Sequence, residues 1–131
     1  MKKYSHKSTL DSFRIAVKGL VIGYKSQRNF RTGIIIGIVV FAAGIWLKLS
    51  SAELAIAMLS IGFVLFAELT NTVIEFVVDT YFRTRCSQIA KMSKDLAAGA
   101  VLLAIIITGI IGAILFLPKI MGSIYGTNVL H

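Results

Sequence analysis

Three long apolar stretches constrain this sequence more than any other feature. Crossing the hydrocarbon core of a bilayer takes about 20 mostly apolar residues in a helix. Only 15% of the 131 residues are charged, whereas soluble domains carry roughly a quarter. The sequence therefore predicts one all-α membrane domain with three transmembrane helices, at about 30–49, 54–80 and 94–117. Pro118 is expected to end the last helix, because proline interrupts the backbone hydrogen bonds.

Basic residues indicate the orientation of the chain. Eight of the 14 Lys and Arg residues lie at or before residue 31, where the first span begins, four lie from residue 83 to residue 94, around the connection between the second and third spans, and the other two are Lys48 and Lys119. Loops rich in Lys and Arg stay in the cytoplasm. The N-terminus is therefore expected inside and the C-terminus outside. The net charge of +8 suits a membrane surface or a nucleotide, and in so apolar a chain we expect no nucleic-acid partner.

The segment before the first span has apolar residues at helical spacing, including Leu10, Phe13, Val17 and Leu20. This pattern predicts an N-terminal amphipathic helix at about 8–28 that lies on the cytoplasmic membrane surface. The alternative is a cytosolic helix packed on a loop. Cationic residues, among them Arg14 and Lys18, lie on its other faces.

Glu68, Asn71, Glu75 and Asp79 form a polar stripe on the second span, because their spacing of 3, 4 and 4 puts them on one helical face. Acids near lipid cost about 2.5 to 3.5 kcal/mol each on insertion scales, and they usually mark function. Two carboxylates one or two turns apart suit general-base catalysis and coordination of Mg²⁺. The pair Lys94-Asp95 would add a cation for phosphate. This combination fits phosphoryl transfer, although no P-loop is present.

Two alternatives remain open for the stripe on spacing alone. It can be a polar seam that holds helices together, or it can carry protons or cations in a transport subunit. Small residues recur every fourth position at Ala100, Ala104, Thr108 and Gly112, and Gly33 and Gly37 repeat the pattern in the first span. Such residues favour close helix packing. Because three helices enclose little volume, we also expect a homo-oligomer.

Five short blocks occur in an order that is typical of one family. The longest are Glu-Leu-Thr-Asn-Thr-Val-Ile-Glu-Phe-Val-Val-Asp at 68–79 and Ala-Lys-Met-Ser-Lys-Asp-Leu-Ala-Ala-Gly-Ala-Val at 90–101. The others are Ser-Phe-Arg at 12–14, Lys-Gly-Leu at 18–20 and Arg-Asn-Phe-Arg at 28–31. In these blocks, which lie in the family's order within residues 12–115, the chain resembles the prokaryotic diacylglycerol kinase and undecaprenol kinase family.

The resemblance implies a homotrimeric lipid kinase of the bacterial cytoplasmic (inner) membrane, with active sites between subunits at the cytoplasmic interface. It implies that Glu68 is the catalytic base on the lipid hydroxyl and that Glu75 binds Mg²⁺ with ATP. Lys94 and Asp95 would contact the nucleotide, and Asp79, in the same polar site, is a further candidate to bind the nucleotide. We assign Asn71, Arg14, Lys18 and Ala98 to its lipid and polar side. The products would be a lipid phosphate and ADP.

Four departures from the family pattern fall near the nucleotide, the metal or the lipid entrance. Gln27 stands where a second metal-binding glutamate is usual, and a neutral amide binds Mg²⁺ more weakly than a carboxylate. Ile15 replaces a nucleotide-contacting tyrosine, and Gly33 replaces a polar residue. The usual Glu-Tyr-His stretch is absent from the cytoplasmic loop, where Arg83 and Arg85 are candidates to hold ATP instead.

The sequence leaves alternatives open for both the substrate and the activity. Lys-Asp-Leu-Ala-Ala-Gly-Ala at 94–100 resembles undecaprenol kinases of Gram-positive bacteria, whereas the diacylglycerol-using form has a serine at the position of Ala98. Undecaprenol is therefore slightly favoured over diacylglycerol. The competing hypotheses are a non-catalytic membrane scaffold descended from the kinase and a small ion or proton transport subunit.

Overall fold

The computed structural model describes residues 8–83 and 87–126, which form four α-helices. They are α1 (Thr9–Ser26), α2 (Arg28–Trp46), α3 (Ser51–Phe82) and α4 (Gln88–Tyr125). Within these two ranges the remaining backbone forms short connections, and there is no strand. The last three helices are long and apolar enough to cross a membrane. The prediction of an all-α chain with three spanning helices is therefore confirmed.

Serine side chains cap the N-termini of three of the helices. Ser8 accepts a hydrogen bond from the Leu10 N–H at 3.2 Å, and Ser87 accepts one from the Ala90 N–H at 3.5 Å. At α3, Ser50 and Glu53 form a reciprocal capping box, which satisfies backbone donors that a helix start leaves open. Only Gln27, in extended conformation, separates α1 from α2.

The turn after α2 explains why that helix ends at Trp46 rather than near 49. Lys48 adopts a left-handed conformation with φ of 58°. The Lys48 N–H then donates to the Ile45 carbonyl and the Leu49 N–H donates to the Gly44 carbonyl, both at 3.0 Å. These are the two hydrogen bonds of a Schellman motif, which satisfies the last carbonyls of a helix.

The prediction that Pro118 ends the last helix is wrong. Helix α4 runs through Pro118 to Tyr125, and it begins at Gln88, before the apolar stretch. Proline lacks its own N–H and its ring crowds the carbonyl of residue i−4, but membrane helices tolerate it where neighbouring groups compensate. Directly after the proline, Lys119 forms an ion pair with Glu53 of α3 at 3.5 Å.

Three polar contacts define the antiparallel packing of α3 against α4. Asp79 pairs with Lys94 at one end, and Glu53 pairs with Lys119 at the other. Between them, the Thr108 hydroxyl donates to the Ser60 carbonyl at 3.1 Å. These helices form the most extensive contact in the described part of the chain.

The small residues of α4 contribute to this contact only in part. Ala104 is fully buried and Thr108 makes its hydrogen bond, but Ala100 is exposed and a Cβ on Gly112 would meet nothing within 4 Å. A row of every fourth residue drifts around a helix by about 40° per step, because a turn takes 3.6 residues. The buried positions of α4 instead follow steps of four, three and eleven, the last of which makes about three turns, at Ala97, Val101, Ala104 and Leu115.

Glycines let α2 approach α3 closely. A Cβ on Gly37 would lie 2.6 Å from Ile61 Cγ2, and one on Gly33 would lie 3.0 Å from Leu65 Cδ2. The expected packing role of these two glycines is therefore confirmed. Gly23, near the end of α1, makes a similar approach to Leu69. The junction of α1 and α2 consequently lies beside the α3 turn that precedes Asn71.

Candidate functional site

The polar stripe of α3 lies between the two faces that this helix uses for packing. Ile61, Leu65 and Leu69 contact α2 or the end of α1, whereas Ser60 contacts α4. At about 100° per residue, Glu68 and Glu75 fall between these faces. Both are half-buried. We call this line along α3 between α2 and α4, which runs from Ala57 through Glu68 and Asn71 to Glu75, the corner.

The corner changes from apolar to polar along α3. Ala57 lies on the same line as Glu75, since 18 residues make about five helical turns. At that level Leu49 and Leu115 close the corner in a small apolar core with Ala57. Toward the other end of α3 the same line presents Glu68, Asn71 and Glu75. Acidic groups are therefore concentrated at the end that carries Asp79 and Lys94.

Asn71 and Glu75 form the one direct contact between members of the stripe in the described residues. The Asn71 Nδ2 donates to Glu75 Oε1 at 3.1 Å. The other amide atom, Asn71 Oδ1, is buried and has no hydrogen-bond partner among residues 8–83 and 87–126. Buried polar atoms in native proteins nearly always have a partner. This oxygen is therefore an open acceptor inside the corner.

Glu68 lies one turn before Asn71. Within the described ranges its carboxylate has no ion pair and no hydrogen bond, although its backbone carbonyl accepts from the Thr72 hydroxyl at 2.9 Å. Thr72 is buried and was missed at the sequence level. The available signal was a threonine four residues after an acid, because a helical threonine commonly bonds to the carbonyl of residue i−4.

Lys94 and Asp95 diverge although they are neighbours in sequence. Lys94 reaches α3 and forms an ion pair with Asp79. Asp95 is exposed on the opposite side of α4, beside Met92, Leu96 and Gly99. Ala98 is exposed as well. One chain thus joins Asn71 to Glu75 and Asp79 to Lys94, with Glu68 one turn before Asn71 on the same stripe, but it leaves Asp95 and Ala98 outside this group.

The remaining predicted residues lie on α1 and in the connections. Arg14, Ile15 and Lys18 are exposed on α1, and Gln27 is half-buried at the junction before α2. Arg83 ends α3 with a positive φ of 47°. Arg85 lies outside the described residues. Among those described, no group of three or more His, Cys, Asp or Glu side chains is placed to hold a metal.

Comparison with known proteins gives one family and two relatives. Residues 14–116 match the family model for prokaryotic diacylglycerol kinase. The chain is 40% identical over 112 residues to a diacylglycerol kinase of Synechocystis sp., a match that covers 86% of this chain and 64% of that protein. It is 36% identical over 124 residues to the undecaprenol kinase of Bacillus subtilis, covering 92% of this chain and 100% of that protein.

Proposed function

The chain belongs to the prokaryotic diacylglycerol kinase family, a family of membrane lipid kinases, and on this premise we propose that it phosphorylates a membrane lipid alcohol. The γ-phosphate of ATP is transferred to the lipid hydroxyl in a reaction that requires Mg²⁺. The lipid is undecaprenol or diacylglycerol, which are the alcohols in the names of the two relatives. Undecaprenol is slightly favoured by the sequence around Ala98.

The position of Glu68 along α3 is the observation that carries this proposal. The helix has 32 residues and is about 48 Å long at 1.5 Å per residue, whereas the hydrocarbon core is about 30 Å thick. Measured from Leu54, where the uninterrupted apolar stretch begins, Glu68 lies about 21 Å along α3, in the third of the core nearest the Asp79 end. This depth suits a carboxylate that meets a lipid hydroxyl from the bilayer and a nucleotide from the cytoplasm.

The groups around the corner suit the steps of phosphoryl transfer. Glu68 accepts the proton of the lipid hydroxyl while the hydroxyl oxygen bonds to the γ-phosphorus of ATP. The bond between the γ-phosphorus and the bridging β-phosphate oxygen breaks, and ADP leaves. Lys94 neutralises phosphate charge, and Asp79 holds the Lys94 ammonium at the cytoplasmic end of the corner. Arg83, Arg85 and Asp95 are further candidates for nucleotide contact.

The oxygen atoms available in the corner suit the coordination of Mg²⁺. The Glu75 carboxylate and the open Asn71 Oδ1 are oxygen ligands, which Mg²⁺ prefers. Mg²⁺ usually takes only one or two protein carboxylates and completes its shell with water and substrate phosphates, so a cluster of three acids is not required. When bound, the ion would neutralise charge on the phosphate oxygens. Gln27 would contribute weakly at most, as a neutral amide.

The direction of Asp95 supports a site completed by a second subunit. Asp95 faces away from the corner of its own chain, on a side of α4 that also exposes Leu96 and Leu103. In a homotrimer this side can meet the corner of a neighbouring subunit. The charges support the proposed orientation, with α1 on the cytoplasmic membrane surface. Among the described residues, two cations, Lys48 and Lys119, lie at the end of α3 opposite Asp79 and Lys94. The less basic end of a membrane protein is expected outside.

A transfer assay tests the proposed activity. Purified protein in mixed micelles is given labelled ATP, Mg²⁺ and either undecaprenol, diacylglycerol or a fatty alcohol. We expect label in a lipid phosphate, with undecaprenol the better acceptor. Folded protein that labels none of these lipids would contradict the proposal and favour the scaffold or transport hypothesis.

A further inference from the structure

The side-chain amide of Asn71 has a hydrogen-bond partner at its nitrogen but none at its oxygen among the described residues. Its Nδ2 donates to Glu75 Oε1 at 3.1 Å, and its Oδ1 is buried without a partner in the described part of the chain. A buried acceptor left open is costly. It therefore points to a hydrogen-bond donor or a cation that occupies the corner when the protein works.

The charges around this oxygen favour a cation. Asn71 lies one turn from Glu68 on one side and one turn from Glu75 on the other, and both carboxylates are half-buried. On α4, Lys94 at this end of the packed pair is already engaged by Asp79. An amide oxygen between two carboxylates is a hard ligand, and hard oxygen ligands select Mg²⁺ or Mn²⁺ over softer metals.

We propose that Asn71 Oδ1 is a direct ligand of the catalytic Mg²⁺, beside the Glu75 carboxylate. The inference rests on the proposed kinase function and extends it to the metal site of this chain. The Asn71–Glu75 hydrogen bond joins the two ligands within one turn of α3, so that each holds the other in place. A protein whose α1–α2 junction has the neutral Gln27 thus keeps two protein oxygens for the metal on a single helix.

Binding of Mn²⁺ alone to the full-length protein in micelles tests this proposal. All proteins compared carry Cys86→Ser. The loss of the free Mn²⁺ signal in electron paramagnetic resonance gives the affinity of each for Mn²⁺. Asn71→Cys is close to asparagine in volume and replaces the hard oxygen with sulfur. We expect it to weaken Mn²⁺ binding about ten-fold and to shift the preference toward Cd²⁺, a soft metal.

Asn71→Asp separates a metal ligand from a residue that only orients Glu75. A ligand role predicts Mn²⁺ binding at least as tight as in the parent, because the oxygen gains charge. A purely orienting role predicts weaker binding, because the donor to Glu75 is lost. Thr70→Ala is the matched control, since the exposed Thr70 bonds only to the Phe66 carbonyl, and it should leave Mn²⁺ binding unchanged.

The outcomes for the inference and for the kinase function are distinct. Unchanged Mn²⁺ affinity and metal preference in Asn71→Cys, or weaker binding in Asn71→Asp, would overturn the ligand assignment. If the parent protein still phosphorylates lipid in the same preparation, the kinase function stands. A parent that phosphorylates no lipid would instead overturn the function. Should Asn71→Cys fail to fold, Asn71→Asp decides, because it preserves the shape of the side chain.

Discussion

Lys94 of α4 forms an ion pair with Asp79 of α3, one turn beyond Glu75. The pair joins the two longest helices at the end of the corner where the acids are concentrated. Under the proposed kinase function, Asp79 would hold the Lys94 ammonium near the corner, so that the lysine is positioned before a phosphate arrives.

Asp79→Asn is expected to raise the KM for ATP while changing kcat less. The lysine would lose the partner that holds it, whereas the groups that react would remain. The loss of stability should be small, below about 1 kcal/mol, because the two side chains are 41% and 64% exposed. Asp79→Glu should restore much of the affinity. Steady-state kinetics of all three proteins check this, and an unchanged KM in Asp79→Asn would show that the pair does not position Lys94.

Gly37→Ala is expected to destabilise the fold by about 1 to 3 kcal/mol, as overpacking does in cores. The added Cβ would lie 2.6 Å from Ile61 Cγ2, and a β-branched side chain has little freedom to move away. Gly122→Ala is the control, because nothing lies within 4 Å of that position. It should be neutral or slightly stabilising, since alanine is the better helix former. Equal unfolding midpoints for the two variants in micelles would argue against the close approach of α2 and α3.

Pro118→Ala is expected to stabilise the protein, by at most about 3 kcal/mol. A proline inside α4 removes one backbone hydrogen bond, and alanine would restore it without moving Lys119 away from Glu53. Thermal unfolding in micelles gives the change. A destabilised Pro118→Ala variant would mean that the helix does not continue through this position as the structure shows it.

Gln27→Glu is expected to strengthen Mg²⁺ dependence, lowering the Mg²⁺ concentration required for half-maximal activity. Gln27 is half-buried at the α1–α2 junction, beside the α3 turn that precedes Asn71. A carboxylate there adds a charged oxygen ligand of the kind that Mg²⁺ prefers. Gln88→Glu is a matched control on the exposed first turn of α4. The same shift in both variants would indicate a general charge effect and no role for position 27 in metal binding.

Hydropathy and helical periodicity were sufficient to predict the three spans and the grouping of Glu68, Asn71 and Glu75. Both features are local, since they depend on spacing within one segment. Position relative to other helices was not predictable. Asp95 turns away from the corner while its neighbour Lys94 turns toward it, and which side of α4 packs on α3 depends on the fit of residues far apart in sequence.

The continuation of α4 past Pro118 has a similar explanation. Proline lowers the helix preference of its own segment, yet α4 continues to Tyr125, with Lys119 paired to Glu53 of α3 directly after the proline. The open Asn71 Oδ1 was equally hidden from the sequence, because its burial depends on the packing around α3.

Turnover of Glu68→Gln tests the central claim most directly, because the claim makes Glu68 the base on the lipid hydroxyl. Glu53→Gln is the control at the opposite end of α3, where Glu53 caps the helix and pairs with Lys119. With labelled ATP, Mg²⁺ and the preferred lipid, we predict a loss of about 10²- to 10⁴-fold in kcat for Glu68→Gln. Its unfolding midpoint should stay near that of the parent, and Glu53→Gln should keep its activity. A Glu68→Gln protein that phosphorylates lipid at the parental rate would contradict the account.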